Sequence, residues 1–172
     1  MIERFLFVVG GRDTGKSTQL RSIFRDPRLG TNGQVPTNRS VRDRYRLSID
    51  RGLYIRLTSP HEAGESLRQF LDKTDHKTQG RRWCVAAPLQ LDAFKTMPDL
   101  TRTVAAVIAR FTPERIRVCA LSPDRHGTAL PPAQLDALFD VLWSLGPVEC
   151  HALDARQRTR NDTLLAGFLD FA

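Results

Sequence analysis

The stretch Gly10-Gly11-Arg12-Asp13-Thr14-Gly15-Lys16-Ser17 decides the fold of this chain, because it follows the pattern G-x-x-x-x-G-K-S of phosphate-binding loops. The apolar run at residues 5–9, just before it, predicts a buried strand. Residues 19–25, just after it, predict a helix whose apolar side chains share one face. A glycine-rich turn between a strand and a helix directs backbone N–H groups and the positive end of the helix dipole to one place. The stretch therefore predicts an anion site.

Each side chain of this loop, hereafter the P-loop, has an expected role. Lys16 is expected to reach the β- and γ-phosphates of a bound nucleotide, and Ser17 to offer its hydroxyl to Mg²⁺. The predicted ligand is therefore GTP or ATP with Mg²⁺. The residues predicted to bind it are Gly10, Asp13, Thr14, Gly15, Lys16, Ser17 and Thr18.

Length and composition predict one globular domain over residues 1–172. Hydrophobic residues make up 41% of the chain and charged residues 26%, which is ordinary usage for a domain with one core. No apolar run approaches the roughly 18 residues that a transmembrane helix needs. The N-terminus has no cleavable signal pattern. The three cysteines, each in a predicted strand, lack metal-site spacing, so we expect a cytoplasmic protein with free thiols.

The chain carries a formal net charge of +7, and many of its arginines lie in two short regions, residues 39–56 and 156–160. We expect a protein partner to dock on the Arg-rich hairpin, Arg42–Arg56, and on the loops beside it. The same pattern is typical of a solvated sheet edge whose charges prevent edge-to-edge pairing. Nucleic acid or an acidic membrane surface would also suit the net charge. Neither is favoured, because only Tyr45 and Tyr54 interleave with the arginines as stacking residues would.

Strands and helices alternate along the chain. Residues 44–50 and 53–57 alternate in polarity and predict a β-hairpin around the turn residues Asp50-Arg51-Gly52. Three further strands and four further helices follow, the last helix capped by Asn161 or Asp162. The order β-α-β-β-α-β-α-β-α-β-α predicts an α/β fold. We expect a mostly parallel six-stranded sheet with one antiparallel edge strand and helices on both faces.

This element order, together with four stretches, resembles the Ras-like small GTPases over nearly the whole chain. The P-loop is the first stretch. Val35-Pro36-Thr37 is similar to the switch I segment, in which a threonine completes the Mg²⁺ shell. Residues 55–65 are similar to the D-x-x-G segment of switch II, with Ala63-Gly64 in register. Residues 151–154 occupy the place of the loop that packs on the guanine base. The resemblance implies a nucleotide switch with Ser17 and Thr37 on Mg²⁺.

The chain departs from the pattern of that family in its base-recognition and switch II motifs. The switch II aspartate is replaced by His61 or by Ser59, depending on the register. The N-K-x-D motif is absent, and Asp124, in Leu121-Ser122-Pro123-Asp124-Arg125, is either a substitute reader of the base or a turn residue. Glu65 stands where a glutamine normally orients the attacking water.

Arg12 fills a P-loop position that is small in fast GTPases. Its side chain would either obstruct an incoming arginine finger or act as a charge donor toward the γ-phosphate. The predicted catalytic residues are thus Lys16, Glu65 and Arg12, and we expect slow hydrolysis.

Two other classes of protein stay open from the sequence. The run Gly15-Lys16-Ser17-Thr18-Gln19 and the later Asp43-Arg44-Tyr45-x-x-Ser48 resemble motifs of thymidylate kinases, which would make the protein a phosphotransferase. The second class is a non-catalytic module that is stabilised by nucleotide and that uses the Arg-rich hairpin as its binding surface. Thr37, which follows a proline, is either the Mg²⁺ ligand that the resemblance implies or an ordinary turn residue.

Overall fold

The sheet has six strands, and five helices flank it. The computed structural model describes residues 1–170, except for the side chains of residues 158 and 159. The strands are β1 Ile2–Val9, β2 Arg44–Arg46, β3 Arg51–Ile55, β4 Arg82–Leu89, β5 Arg115–Leu121 and β6 Val148–Leu153. The helices are α1 Lys16–Ser22, α2 Leu67–Lys77, α3 Leu100–Phe111, α4 Pro132–Trp143 and α5 Arg158–Leu169.

The strand order is β2-β3-β4-β1-β5-β6. The short edge strand β2 is antiparallel to β3, and every other neighbouring pair is parallel. The predicted α/β fold is confirmed, including the antiparallel edge strand and the mostly parallel six-stranded sheet. The order also places β4 between β3 and the P-loop strand β1, so the end of β4 directly neighbours the P-loop.

Both faces of the sheet are buried, as a parallel sheet requires. Successive side chains of β1 point to opposite faces, so Phe5 and Phe7 join one core and Leu6 and Val8 join the other. Helices α2, α3 and α4 supply apolar side chains to the first core, and α1 and α5 supply them to the second. The parallel strands β1, β3, β4, β5 and β6 all end at the same end of the sheet, where the P-loop and the other loops after these strands lie.

The hairpin differs from its prediction. The turn covers residues 47–50, and Arg51 and Gly52 already belong to β3. Ile49, expected on a buried strand face, is 83% exposed in that turn. Gly52 is needed for close packing, because a Cβ there would lie 2.6 Å from the ring of Trp83. The predicted turn at Asp50-Arg51-Gly52 is therefore wrong.

The closing helix also begins earlier than predicted. Helix α5 starts at Arg158, so Asn161 and Asp162 lie inside it and cap nothing. Asn161 is buried, and its Nδ2 donates to Oε1 of Gln19 at 3.0 Å and to the carbonyl of Asp154 at 2.7 Å. These bonds tie α5 to α1 and to the loop after β6.

Candidate functional site

The P-loop follows the end of β1 and leads into α1. The Gly10 N–H donates to the carbonyl of Leu89 at the end of β4, 3.3 Å away. A Cβ on Gly10 would lie 2.6 Å from Oγ1 of Thr14, so only glycine fits. Gly15 has a φ of 101°, a left-handed conformation that glycine adopts without strain, and it caps α1. Glycine is thus favoured at Gly10 by close contact with the Thr14 side chain and at Gly15 by the backbone conformation.

The loop presents unpaired donors at its centre. In the described part of the chain, the backbone N–H groups of residues 15–18 donate no hydrogen bond, whereas the next one, from Gln19, reaches the carbonyl of Gly15. The carbonyl of Thr14 faces the other way and accepts from the N–H of Arg125 at 3.2 Å. Successive free N–H groups at the start of a helix form a concave site for anions.

Lys16 lies over this loop with its ammonium group buried. Its side chain is 4% exposed, and Nζ donates to the carbonyls of Gly10, at 3.2 Å, and of Gly11. Oε1 of Glu62 is 3.7 Å from the same nitrogen. Burial lowers the pKa of Lys16, and the carboxylate of Glu62 opposes that shift. The ammonium is therefore a desolvated cation with two backbone carbonyls and the Glu62 carboxylate beside it.

Ser17 is engaged by the segment after β3. Its Oγ donates to the carbonyl of Leu57 at 2.5 Å. The two P-loop side chains with predicted chemistry, Lys16 and Ser17, are consequently both in contact with residues 57–62. We call residues 57–65 the β3–α2 segment.

The β3–α2 segment is anchored by buried polar groups. Ser59 and His61 are both buried, and Ser59 Oγ lies 3.3 Å from Nδ1 of His61. The other ring nitrogen of His61 lies 3.1 Å from the carbonyl of Pro98, so it carries the proton of that hydrogen bond. Burial lowers the pKa of His61, because the charged imidazolium would be desolvated. The hydrogen bonds of both side chains support the segment itself.

Glu65 is held between two cations. Its Oε1 lies 2.6 Å from Nζ of Lys73, and its Oε2 lies 2.9 Å from Nη2 of Arg56. The second contact is an ion pair whose geometry is not that of an aligned hydrogen bond, since Oε2 has no hydrogen-bond partner among the described residues. Burial would raise the pKa of Glu65, but the Lys73 hydrogen bond and the Arg56 charge outweigh it and keep the pKa low. Both oxygens thus face cations, which leaves none directed at the P-loop.

Three other predicted site residues lie apart from Lys16 and Ser17 or are turned to other partners. Thr37 is exposed, and its hydroxyl lies 2.7 Å from that of Ser40. Arg12 is exposed beside Asp13, with 3.8 Å between Nε and Oδ2. Asp124 accepts from the N–H groups of His126 and Thr128 at 2.8 and 3.0 Å, which builds the turn after β5.

Two contacts of the site were missing from the sequence prediction. Glu62 was overlooked, although its place two residues before Gly64 put it in the segment compared with switch II. The carbonyl of Leu57 carries no side-chain signal at all, because any residue could supply it. Among the described residues, no group of three or more His, Cys, Asp or Glu side chains is arranged to hold a metal ion.

Comparisons with known proteins add no family to these observations. No protein-family model, no curated protein and no solved structure matches the chain. The family resemblance consequently depends on the motifs alone. Within residues 1–170, no helix has both the length and the apolar character needed to cross a membrane.

Proposed function

We propose that the protein binds a nucleoside triphosphate, GTP or ATP, with Mg²⁺ at residues 10–18 and acts as a nucleotide-dependent switch or scaffold. One observation supports this most directly: a buried ammonium group, that of Lys16, lies over a loop with consecutive unpaired N–H donors. Such an arrangement costs desolvation and leaves donors unsatisfied unless an anion with several oxygens completes it.

The residues of the loop suit a magnesium–nucleotide complex. The N–H groups of residues 15–18 and the Lys16 ammonium would hold phosphate oxygens, and the hydroxyl of Ser17 would hold the metal. Mg²⁺ is commonly bound by few protein oxygens together with phosphates, so a large acidic cluster is not required. When bound, the ion neutralises phosphate charge. Thr37 would join only after its hydroxyl leaves Ser40.

The switch would work through the β3–α2 segment. Phosphates bound at Lys16 compete with the carboxylate of Glu62, and a metal bound at Ser17 competes with the carbonyl of Leu57. Both displaced groups belong to the segment that leads into α2. Nucleotide binding is therefore communicated to Glu65, whose ion pairs join the segment to β3 and α2.

Hydrolysis by this site would be slow. Orienting a water requires a carboxylate oxygen that faces the γ-phosphate, whereas both oxygens of Glu65 face Arg56 and Lys73. A weak hydrolase fits a switch whose bound state persists. Binding without hydrolysis would instead fit a scaffold.

A partner surface is proposed on the hairpin side of the molecule. Four arginines there form no ion pair with any described residue: Arg39, Arg42, Arg44 and Arg46. By contrast, Arg51 pairs with Glu3, and Arg56 pairs with Glu65. We propose that a protein partner binds this surface and that the protein is cytoplasmic. In the second basic region, residues 156–160, the side chain of Arg158 lies outside the described residues.

Calorimetry with Lys16→Ala tests the proposed binding. Loss of a charge-assisted contact to phosphate should reduce affinity for magnesium–GTP and magnesium–ATP by roughly tenfold or more. Lys95→Ala is the matched control, because Lys95 is an exposed lysine that contacts Phe94. Equal affinities for wild type and Lys16→Ala would refute the proposal.

The reaction class is separated by following the phosphate. Release of inorganic phosphate marks a hydrolase, and transfer to a nucleoside monophosphate marks a kinase. Nucleotide binding with neither outcome marks a scaffold. Mass spectrometry of nucleotide that co-purifies with the protein identifies the base.

A further inference from the structure

A cavity of about 670 Å³ lies on the open side of β3, between the loop before β2 and helix α2. This volume is within the range of small-molecule sites, roughly 300 to 1,000 Å³. The cavity is separate from the P-loop but adjoins it, because Leu57, which lines the cavity, accepts the hydrogen bond of Ser17. Its apolar lining comes from Val41, Tyr54, Ile55 and Leu57.

The cavity exists because the edge strand is short. Strand β2 pairs with residues 52–54 of β3 only, so the chain beyond residue 55 has no partner strand on that side. Helix α2 and residues 38–43 border the resulting gap without filling it. Of the apolar side chains at this gap, Val41 and Leu57 are partly exposed, whereas Tyr54 and Ile55 are buried and offer only a small part of their surface.

All three carboxylates that line the cavity lie near a cation. Asp43 is 2.6 Å from Nζ of Lys77, and Glu65 lies between Lys73 and Arg56. The third, Asp72, is exposed and lies 3.6 Å from Arg68. The acidic groups of the lining are therefore already balanced.

Several polar side chains of the lining stay unpaired. In the described part of the chain, the side chains of Asn38, Arg42 and His76 make no hydrogen bond or ion pair. Of these, the Arg42 guanidinium is a permanent cation. An apolar floor beside an unbalanced cation selects a ligand with an apolar body and an anionic group.

We propose that this cavity binds a small amphipathic anion, an aromatic or aliphatic molecule carrying one carboxylate, sulfonate or phosphate group. The apolar body lies on Val41, Tyr54 and Leu57, and the anionic group pairs with Arg42. The proposal goes beyond nucleotide binding and does not depend on it, because the two sites use different side chains.

The probe for the test is 1-anilinonaphthalene-8-sulfonate, followed by its fluorescence with the full-length protein. Arg42→Gln should weaken binding by roughly tenfold, since a charge-assisted contact is lost. Arg44→Gln is the matched control, because it removes the same charge from an exposed residue of β2 that does not line the cavity. It should change affinity by less than about twofold, because its charge lies outside the cavity and acts on the probe only through solvent and salt.

The neutral analogue N-phenyl-1-naphthylamine tests the role of the anion, and its affinity should be the same for wild type and Arg42→Gln. Amide shifts in ¹⁵N spectra should locate the sulfonate probe at residues 38–43, 54–58 and 72–77. Lys16→Ala should leave its affinity unchanged. Equal effects of Arg42→Gln and Arg44→Gln, shifts confined elsewhere, or loss of the probe in Lys16→Ala would each overturn the proposal. The last result would place the anion in the P-loop, and it would leave nucleotide binding standing.

Discussion

Replacing Glu62 by glutamine should tighten nucleotide binding. In the structure, Oε1 of Glu62 lies 3.7 Å from Nζ of Lys16, the ammonium that phosphates are proposed to contact. In the proposed complex, Glu62 would therefore compete with the nucleotide for one cation. Its negative charge also repels phosphates at close range. Glutamine keeps the shape of the side chain and removes both effects.

The size of the effect follows from the exposure of the two partners. Opposite charges about 4 Å apart attract by about 4 kcal/mol at an effective dielectric of about 20. Desolvation and lost side-chain freedom reduce the net value to about 1 kcal/mol when one partner is well solvated. The Glu62 side chain is 33% exposed and that of Lys16 only 4%, so we expect about 1 to 1.4 kcal/mol. Affinity should rise by roughly five- to tenfold.

Titration of a fluorescent nucleotide analogue with Mg²⁺, at low and at physiological salt, measures this change. The control is Glu114→Gln, which removes the same charge from an exposed residue that lies 3.6 Å from Arg82. Both variants lose one negative charge, which by itself favours an anionic nucleotide. Only Glu62→Gln should tighten binding beyond this shared effect, and its gain in affinity should shrink as salt is added. Weaker binding would mean that Glu62 assists the nucleotide or its metal. Equal gains in both variants would mean that it does not compete at all.

Three further predictions concern stability, base preference and mobility. Glu65→Gln should lower the free energy of unfolding by about 2 kcal/mol at pH 7, because it leaves Arg56 and Lys73 without their carboxylate. Since folding lowers the pKa of Glu65, this contribution is complete above the unfolded pKa near 4.3 and is lost as the pH falls through the folded value. Denaturant titrations should therefore show a gap between the two proteins that closes toward acid pH; a constant gap contradicts the ion-pair explanation. The affinities for GTP and ATP should differ by less than about a thousandfold, because a site without dedicated partners for a base edge loses most of its discrimination. Competition between GTP and ATP measures this ratio of affinities. A larger preference for GTP would disprove the prediction. Hydrogen exchange at residues 28–42 and 59–65 should slow with a non-hydrolysable triphosphate compared with diphosphate or no ligand. Identical protection in all three samples would favour a static scaffold.

Local patterns predicted most of the sheet and the succession of strand, loop and helix around residues 10–17, whereas phosphate binding by that loop stays a prediction. The fully apolar run of β1 and the glycine–lysine–serine spacing act over a few neighbouring residues, so the strand, the loop and the start of a helix could be recognised together. Alternating strand and helix patterns then indicated the α/β fold. Strand boundaries were less certain, and Gly52 was assigned to a turn because glycine favours turns. Its actual requirement is contact with Trp83, a residue distant in sequence.

The contacts around Lys16 and Ser17 could not be predicted in the same way. They join the P-loop to Glu62 and to the carbonyl of Leu57, and neither partner follows from periodicity or spacing. The second helix was predicted to begin at Glu65, but it begins at Leu67, and Glu65 lies just before its N-cap Ser66. The ion pairs of Glu65 depend on how β3 and α2 meet. Tertiary packing therefore decides which oxygen faces which cation. Such contacts join residues that are distant in the sequence, so local patterns cannot predict them.

The position of β1 in the sheet has a consequence for how the chain is made. Its register pairs Ile2 with Trp83 in β4 and Arg4 with Arg115 in β5. Both neighbours of β1 come later in the chain, so during synthesis its apolar residues 5–9 stay exposed until β4 and β5 have been made. Long-range pairing of this kind slows folding and favours aggregation of incomplete chains. The strand that leads into residues 10–17 is therefore enclosed on both sides only after β5 has been made.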